Sequence, residues 1–167
     1  LETIKTLKKQ NAEWKERMQE QKKNLQKFAR EYYQMGNDCI TMAHDSRSAL
    51  ANYDNALELD PLFVDAWVRK GITLYNDNNF FDAEACFNQA VKLSPRLFKA
   101  VYNRGKNRLA LGDYEGALSD LDRACDIKPE NARAHELLGD AFSKNGNMEQ
   151  AALHWNIAER LREKKEE

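Results

Sequence analysis

The sequence predicts an all-α fold: four helical hairpins in succession, preceded by one long helix. Three observations predict it. Small and large residues recur at steps of 34 positions across residues 30–165. Within each step, apolar residues fall three and four apart in two runs separated by a turn signal. Only 7 glycines and 3 prolines occur in 167 residues, too few for the tight turns of an all-β chain, while helix formers dominate.

The first element, residues 1–29, holds neither glycine nor proline. Ile4, Leu7, Asn11, Trp14, Met18, Gln21, Leu25 and Phe28 follow one another at steps of three and four, and Tyr32 and Met35 continue the series. This is a heptad pattern with polar breaks at Asn11 and Gln21. The phase carries into the first hairpin, so the segment reads as one long helix joined to it. Three roles are open. It pairs with a second copy as a coiled coil through Ile4, Leu7, Trp14, Met18, Leu25 and Phe28, giving a homodimer; it folds back on its own hairpins; or it is a spacer from a segment before Leu1. An exposed Trp14 weighs against the spacer. Charge also sets this segment apart. Formal net charge is −1, yet residues 1–30 carry nine Lys/Arg against four Asp/Glu, while the remainder carries seventeen against twenty-three.

The hairpins follow as units 30–63, 64–97, 98–131 and 132–165, with a charged tail at 166–167. Pro61, Pro95 and Pro129 keep the step, as do Gly71, Gly105 and Gly139. Ala49, Ala83, Ala117 and Ala151 form a further column, Ala56, Ala90, Ala124 and Ala158 another, and Tyr53, Phe87, Leu121 and Trp155 a fifth. Glycine and alanine let two helix axes approach, and the large residue fills the space beside them. Each proline pushes its predecessor (Asp60, Ser94, Lys128) out of the α region, so the second helix of the unit must stop. Turns are expected at Leu111-Gly112-Asp113, Asn145-Gly146-Asn147 and His44-Asp45-Ser46. The first unit departs with Asn37 in the glycine column beside Gly36, and the fourth with Glu163 in the proline column, so its last helix is expected to run on. One hairpin cannot bury its own face, whereas a stack can.

These columns resemble the tetratricopeptide repeat, over about four-fifths of the chain. The resemblance implies a right-handed superhelical solenoid whose inner groove, lined by the first helix of each unit, holds a protein or peptide. It places Val68, Arg69, Ile72 and Tyr75 on the groove from the second unit. Lys99, Tyr102, Asn103 and Lys106 come from the third, with Leu109 and Ala110. Arg133 and Glu136 come from the fourth, with Leu137, Asp140, Ser143 and Lys144. Cations beside apolar and aromatic residues suit a partner with an acidic group and an apolar anchor. Co-chaperones of the family clamp a C-terminal carboxylate with a set of Lys, Asn and Arg at fixed repeat positions. Counting from the second unit, Val68, Ile72 and Leu137 stand where that set needs polar groups, and only Asn103 and Arg133 match. The clamp is incomplete, so a chaperone tail is not the expected ligand.

Other classes find little support. His44, His135 and His154 are far apart in sequence and match no metal-ligand spacing, and no glycine-rich phosphate loop occurs. His135 reads as a packing residue, and Asp120, Asp122 and Asp126 as a solvated helix face. No catalytic residue, metal or cofactor is expected. Residues 31–167 are net acidic, which disfavours nucleic acid. No run reaches the ~18 apolar residues of a membrane span. Cys39, Cys86 and Cys125 show no paired spacing and read as small buried hydrophobes of a reducing, cytoplasmic setting.

Overall fold

The computed structural model describes residues 2–164, which leaves the tail at 166–167 outside the described residues. Helix α1 runs Glu2–Asp38 and passes through residues 29 and 30 without a break. A π-helical turn, Cys39–Ala43, follows. Then come α2 (Ser46–Leu59), α3 (Val64–Asn76), α4 (Phe80–Leu93), α5 (Phe98–Leu111), α6 (Tyr114–Ile127), α7 (Ala132–Lys144) and α8 (Met148–Glu163). The all-α expectation holds, and α8 extends to Glu163 where the proline column lapses. Two compact units divide between Ala66 and Trp67.

Each proline ends its helix as expected. Asp60, Ser94 and Lys128 leave the helical region with φ near −140° (−139°, −141° and −136°), and Pro61, Pro95 and Pro129 follow. The turns inside the hairpins reveal a further column, of which the turn signals mark only a part. His44, Asn78, Gly112 and Gly146 stand 34 residues apart, and all four take positive φ, at 51°, 60°, 80° and 85°. In three of these turns the next residue caps the following helix. Asp45, Asp113 and Asn147 accept from backbone N–H groups three residues on (Ser48, Gly116 and Gln150), and Asn131 caps α7 in the same way through Ala134. Gly112 and Gly146 bear the left-handed conformation without the Cβ penalty that His44 carries.

The glycine column works by close approach. A Cβ on Gly71 would lie 2.6 Å from the Phe87 ring, one on Gly105 2.8 Å from Leu121, and one on Gly139 2.6 Å from Trp155. In the first hairpin Gly36, not Asn37, plays this part, its Cβ position 2.6 Å from the Tyr53 ring. From glycine to left-handed residue the other hairpins count seven positions; this one counts eight. The π-helical turn absorbs the extra residue, with the His44 amide donating back to the Cys39 carbonyl. Asn37 is left free to bind a side chain of α2, and its Oδ1 accepts from the Tyr53 hydroxyl at 2.9 Å.

In the first unit, α1 and α2 close on Ala29, Ala49, Tyr53, Ala56 and Leu57, and Tyr33 packs on Tyr53 and Phe63. In the second, a core of Ala117, Leu121, Ala134, Leu138 and Ala141 is shared by α6 and α7, flanked by Phe98, Leu109 and Phe142. Cys86 and Cys125 are buried and Cys39 is half-buried, and none of the three is in a disulfide. Burial, with Asp122 and Asp126 nearby, pushes the Cys125 thiol up to about 12, so it behaves as an apolar filler. No helix among the described residues is long and apolar enough to cross a membrane.

Candidate functional site

Three first-of-hairpin helices, α3, α5 and α7, bring side chains of the second unit to one open pocket of about 510 Å³. Tyr75, Lys106 and Arg133 line it, with Leu109, Leu137, Asp140 and Lys144 among their neighbours. Lys106 is placed by its helix so that Nζ lies 4.3 Å from the centre of the Tyr75 ring. Burial holds the Lys106 ammonium below its ordinary range, and the Arg133 cation adds to this. Burial raises the Tyr102 hydroxyl, opposed by a hydrogen bond with Arg133. Tyr102 stacks on Phe98 at 5.3 Å, which fixes its ring. Arg133 donates to Glu136 at 2.7 Å, and Glu136 accepts at the same distance from Arg162 on α8.

The expected groove residues therefore divide. Tyr75, Lys106 and Arg133 line the pocket together, and Tyr102 and Glu136 join them through Arg133. Lys99 and Arg69 are exposed, Ile72 is half-buried, and Asn103 spends its amide on the Lys99 carbonyl of its own helix at 2.7 Å. Val68 is a correction. It is 3% exposed, its short side chain held within the packed face of α3, and it has no surface to give a ligand. Leu109 and Leu137 carry the apolar lining instead. Tyr114, at the start of α6, was missed; its only signal is an aromatic residue directly after the Gly112-Asp113 turn.

A second correction concerns Asp120, expected on a solvated face. It is 1% exposed and takes both Arg104 Nε and Nη2 at 2.7 Å, and Arg108 Nη1 at 2.9 Å. Arg108 also reaches Glu84 at 2.8 Å, and buried Asn107 donates to Glu84 and to the Phe80 carbonyl. The network clasps α4, α5 and α6. A faint signal existed: Asn107 stands in the column of Cys39, Thr73 and Ala141, the last two of which are buried.

His135 is buried as a packing residue, yet it meets a distant partner. Its Nε2 lies 3.0 Å from the Pro129 carbonyl and its Nδ1 3.2 Å from Nδ1 of His154. The carbonyl only accepts, so His135 Nε2 carries the proton, and its bare Nδ1 accepts from His154. Phe142 stacks on the His154 ring. Burial and the neighbouring His135 hold His154 below the ordinary value of 6.5, with Asp122 opposing. A lowered histidine contributes stability above its unfolded value and loses it as the pH falls. Thermal melts should thus be level at about pH 7.5 and lose ground as the pH falls below about 6.5, and His154→Phe should flatten that slope. A slope unchanged in the variant would clear the pair of responsibility.

Comparisons with known proteins agree with this geometry. A tetratricopeptide-repeat model matches residues 43–98 and a TPR-repeat model residues 105–146. A BBSome complex member BBS4 homolog of Drosophila melanogaster is 28% identical over 108 residues, 65% of this chain and 22% of that protein. Protein STIP1 homolog of Dictyostelium discoideum is 30% identical over 82 residues, 49% of this chain and 14% of that protein. The chain thus spans less than a quarter of the length of the curated relatives it matches. Among solved structures, MamA superposes with a TM-score of 0.77 at 20% identity, covering 82% of this chain and 80% of that one. The first TPR of Spaghetti (RPAP3), bound to the HSP90 peptide SRMEEVD, gives 0.70 at 24% identity over 72% and 95%. Repeat columns, hairpin geometry and family models coincide: the chain belongs to the tetratricopeptide-repeat family, whose fold is a protein-interaction module.

Proposed function

We propose that this chain is a recruiting module whose pocket between Lys106 and Arg133 takes an acidic side chain of an extended or helical segment of a partner protein, with Leu109 and Leu137 receiving an apolar neighbour. One observation carries the reading. Two cations face a common pocket, and Lys106 rests on the Tyr75 ring, partly withdrawn from water. A carboxylate entering there would relieve the repulsion and gain charge-assisted hydrogen bonds. Relatives named as members of multi-protein complexes, the BBSome and the anaphase-promoting complex, fit a scaffold role. The neighbouring RPAP3 repeat holds a peptide rich in acidic residues. Here the incomplete clamp favours an internal Asp or Glu over a chain terminus.

The test is fluorescence anisotropy with a pool of twelve-residue peptides, each bearing one internal Asp or Glu beside Leu or Phe. At least one peptide should bind with a micromolar Kd that weakens with salt. Lys106→Gln and Arg133→Gln should each weaken it roughly tenfold, the loss of one charge-assisted hydrogen bond. Binding indifferent to both substitutions, in variants that melt normally, would remove the pocket from the reading.

A further inference from the structure

The N-terminal two-thirds of α1 presents an apolar seam whose flanks carry one sign of charge. Every residue from 3 to 25 is exposed. Along the seam Ile4 is 58% exposed, Leu7 60%, Trp14 61% and Leu25 46%, far more than a helix leaves open on its apolar side when that side is covered. With Ile4 as position a of the heptad, Leu7, Trp14 and Phe28 fall at d, and Asn11, Met18 and Leu25 at a. Positions e and g border the seam. From residue 3 to residue 24 they are Thr3, Lys8, Gln10, Lys15, Arg17, Lys22 and Asn24. The four charged ones are cations, and Glu13, Glu16 and Glu20 all fall at c or f on the far side. The folded helix keeps this border: Lys8 and Lys15 share a shallow depression with Ile4 and Leu7. Lys22 shares another, of about 570 Å³, with Met18, Leu25 and Leu62; Asp60, just past the end of α2, also lines it.

This border discriminates among occupants. In a parallel pair of copies, position g meets e of the next heptad, so Arg17 would face Lys22 of the second copy. In an antiparallel pair the e rows meet, and Lys8, Lys15 and Lys22 would confront one another. Either arrangement sets like charges along the contact. An anionic membrane suits the cations, but the seam is the narrow a/d stripe of a coiled coil and not the broad apolar face of an interfacial helix. Asn11 and Gln21 break it, and such polar positions are tolerated opposite a polar residue of a partner helix but not in acyl chains.

From this border we infer that residues 4–28 dock an amphipathic helix of a different protein, one with an apolar a/d seam and acidic e and g positions. The seam and the depressions beside it belong to the first unit and share no residue with the pocket of the second, so either surface can fail its test without the other. The probe is a synthetic four-heptad peptide with Leu and Ile in the seam, one Asn to oppose Asn11, and Glu at e and g. A matching peptide carries Lys at e and g. The whole chain should bind the acidic peptide with a micromolar Kd and shift Trp14 emission to the blue, a change absent in Trp14→Phe, and should ignore the basic one. The triple variant Lys8→Glu, Lys15→Glu, Lys22→Glu, altered only at exposed helical positions, should lose at least tenfold toward the acidic peptide and gain the basic one. Three outcomes overturn the inference. One is equal binding of both peptides; another is a stable dimer of the chain alone in sedimentation at micromolar concentration; the third is tighter association with phosphatidylserine vesicles than with the acidic peptide.

Discussion

Asp120→Ala should destabilise the second unit by about 3–5 kcal/mol, the usual cost of stripping one partner from a buried ion pair. The substitution leaves Arg104 and Arg108 beside one another with 14% and 21% of their side chains exposed, and no carboxylate between them. Arg108 keeps Glu84 at 2.8 Å, and Arg104 keeps only the neutral Asn88 amide oxygen at 3.0 Å. Arg123, 3.7 Å from Asp120, is too exposed to be hurt comparably. Asp120→Asn keeps the shape and one acceptor, and should lose less. Urea denaturation followed by circular dichroism measures both. A loss below about 1 kcal/mol for Asp120→Ala would show that water satisfies the arginines and that the network holds little of the fold.

Phe87→Ala should cost about 3–5 kcal/mol, the range for an aromatic ring deleted from a packed core. The ring is 1% exposed and fills the space that Gly71 leaves on α3. The two positions are coupled through that contact. Alone, Gly71→Ala puts a methyl 2.6 Å from the ring and must displace it. In the Phe87→Ala background the same methyl enters a void. The double variant should therefore be more stable than the sum of the two single losses by about 1 kcal/mol or more. The third hairpin already shows the milder solution, with Leu121 in the ring's place and 2.8 Å from a Cβ built on Gly105. Additive losses in the cycle would mean that the helices part before the ring is squeezed.

Much of this fold was legible because packing columns leave a period in the sequence. Gly71, Gly105 and Gly139 report close approach, and the prolines report helix ends, wherever the chain keeps its count. The count fails once, at the π-helical turn, where one additional residue moves the glycine contact from the Asn37 column to Gly36. Period alone shows an imperfect repeat there; only backbone geometry shows how the surplus residue is housed. The family model likewise starts at residue 43, the last residue of that turn. Charge was harder to read. Helical spacing tells which face Asp120 occupies but not that Arg104 and Arg108 from another helix lie across from it. His135 and His154 meet for the same reason, being brought together by antiparallel packing that no local spacing encodes. Val68 was misplaced because a repeat position names an angle around the helix, not the depth at which a short side chain ends.

The length and continuity of α1 set how anything held near the amino terminus is presented. Thirty-seven residues at 1.5 Å each make a rod of about 55 Å. The rod contains no glycine before Gly36, and Gly36 is wedged against the Tyr53 ring, so the hairpin grips the rod's base instead of hinging there. A cargo on the outer part is consequently fixed in azimuth as well as in reach. Each residue gained or lost between Leu25 and Gly36 would swing it by about 100° around the axis. A helix docked there as proposed would thus be held by a keyed strut, its compass bearing set by the residue count of α1.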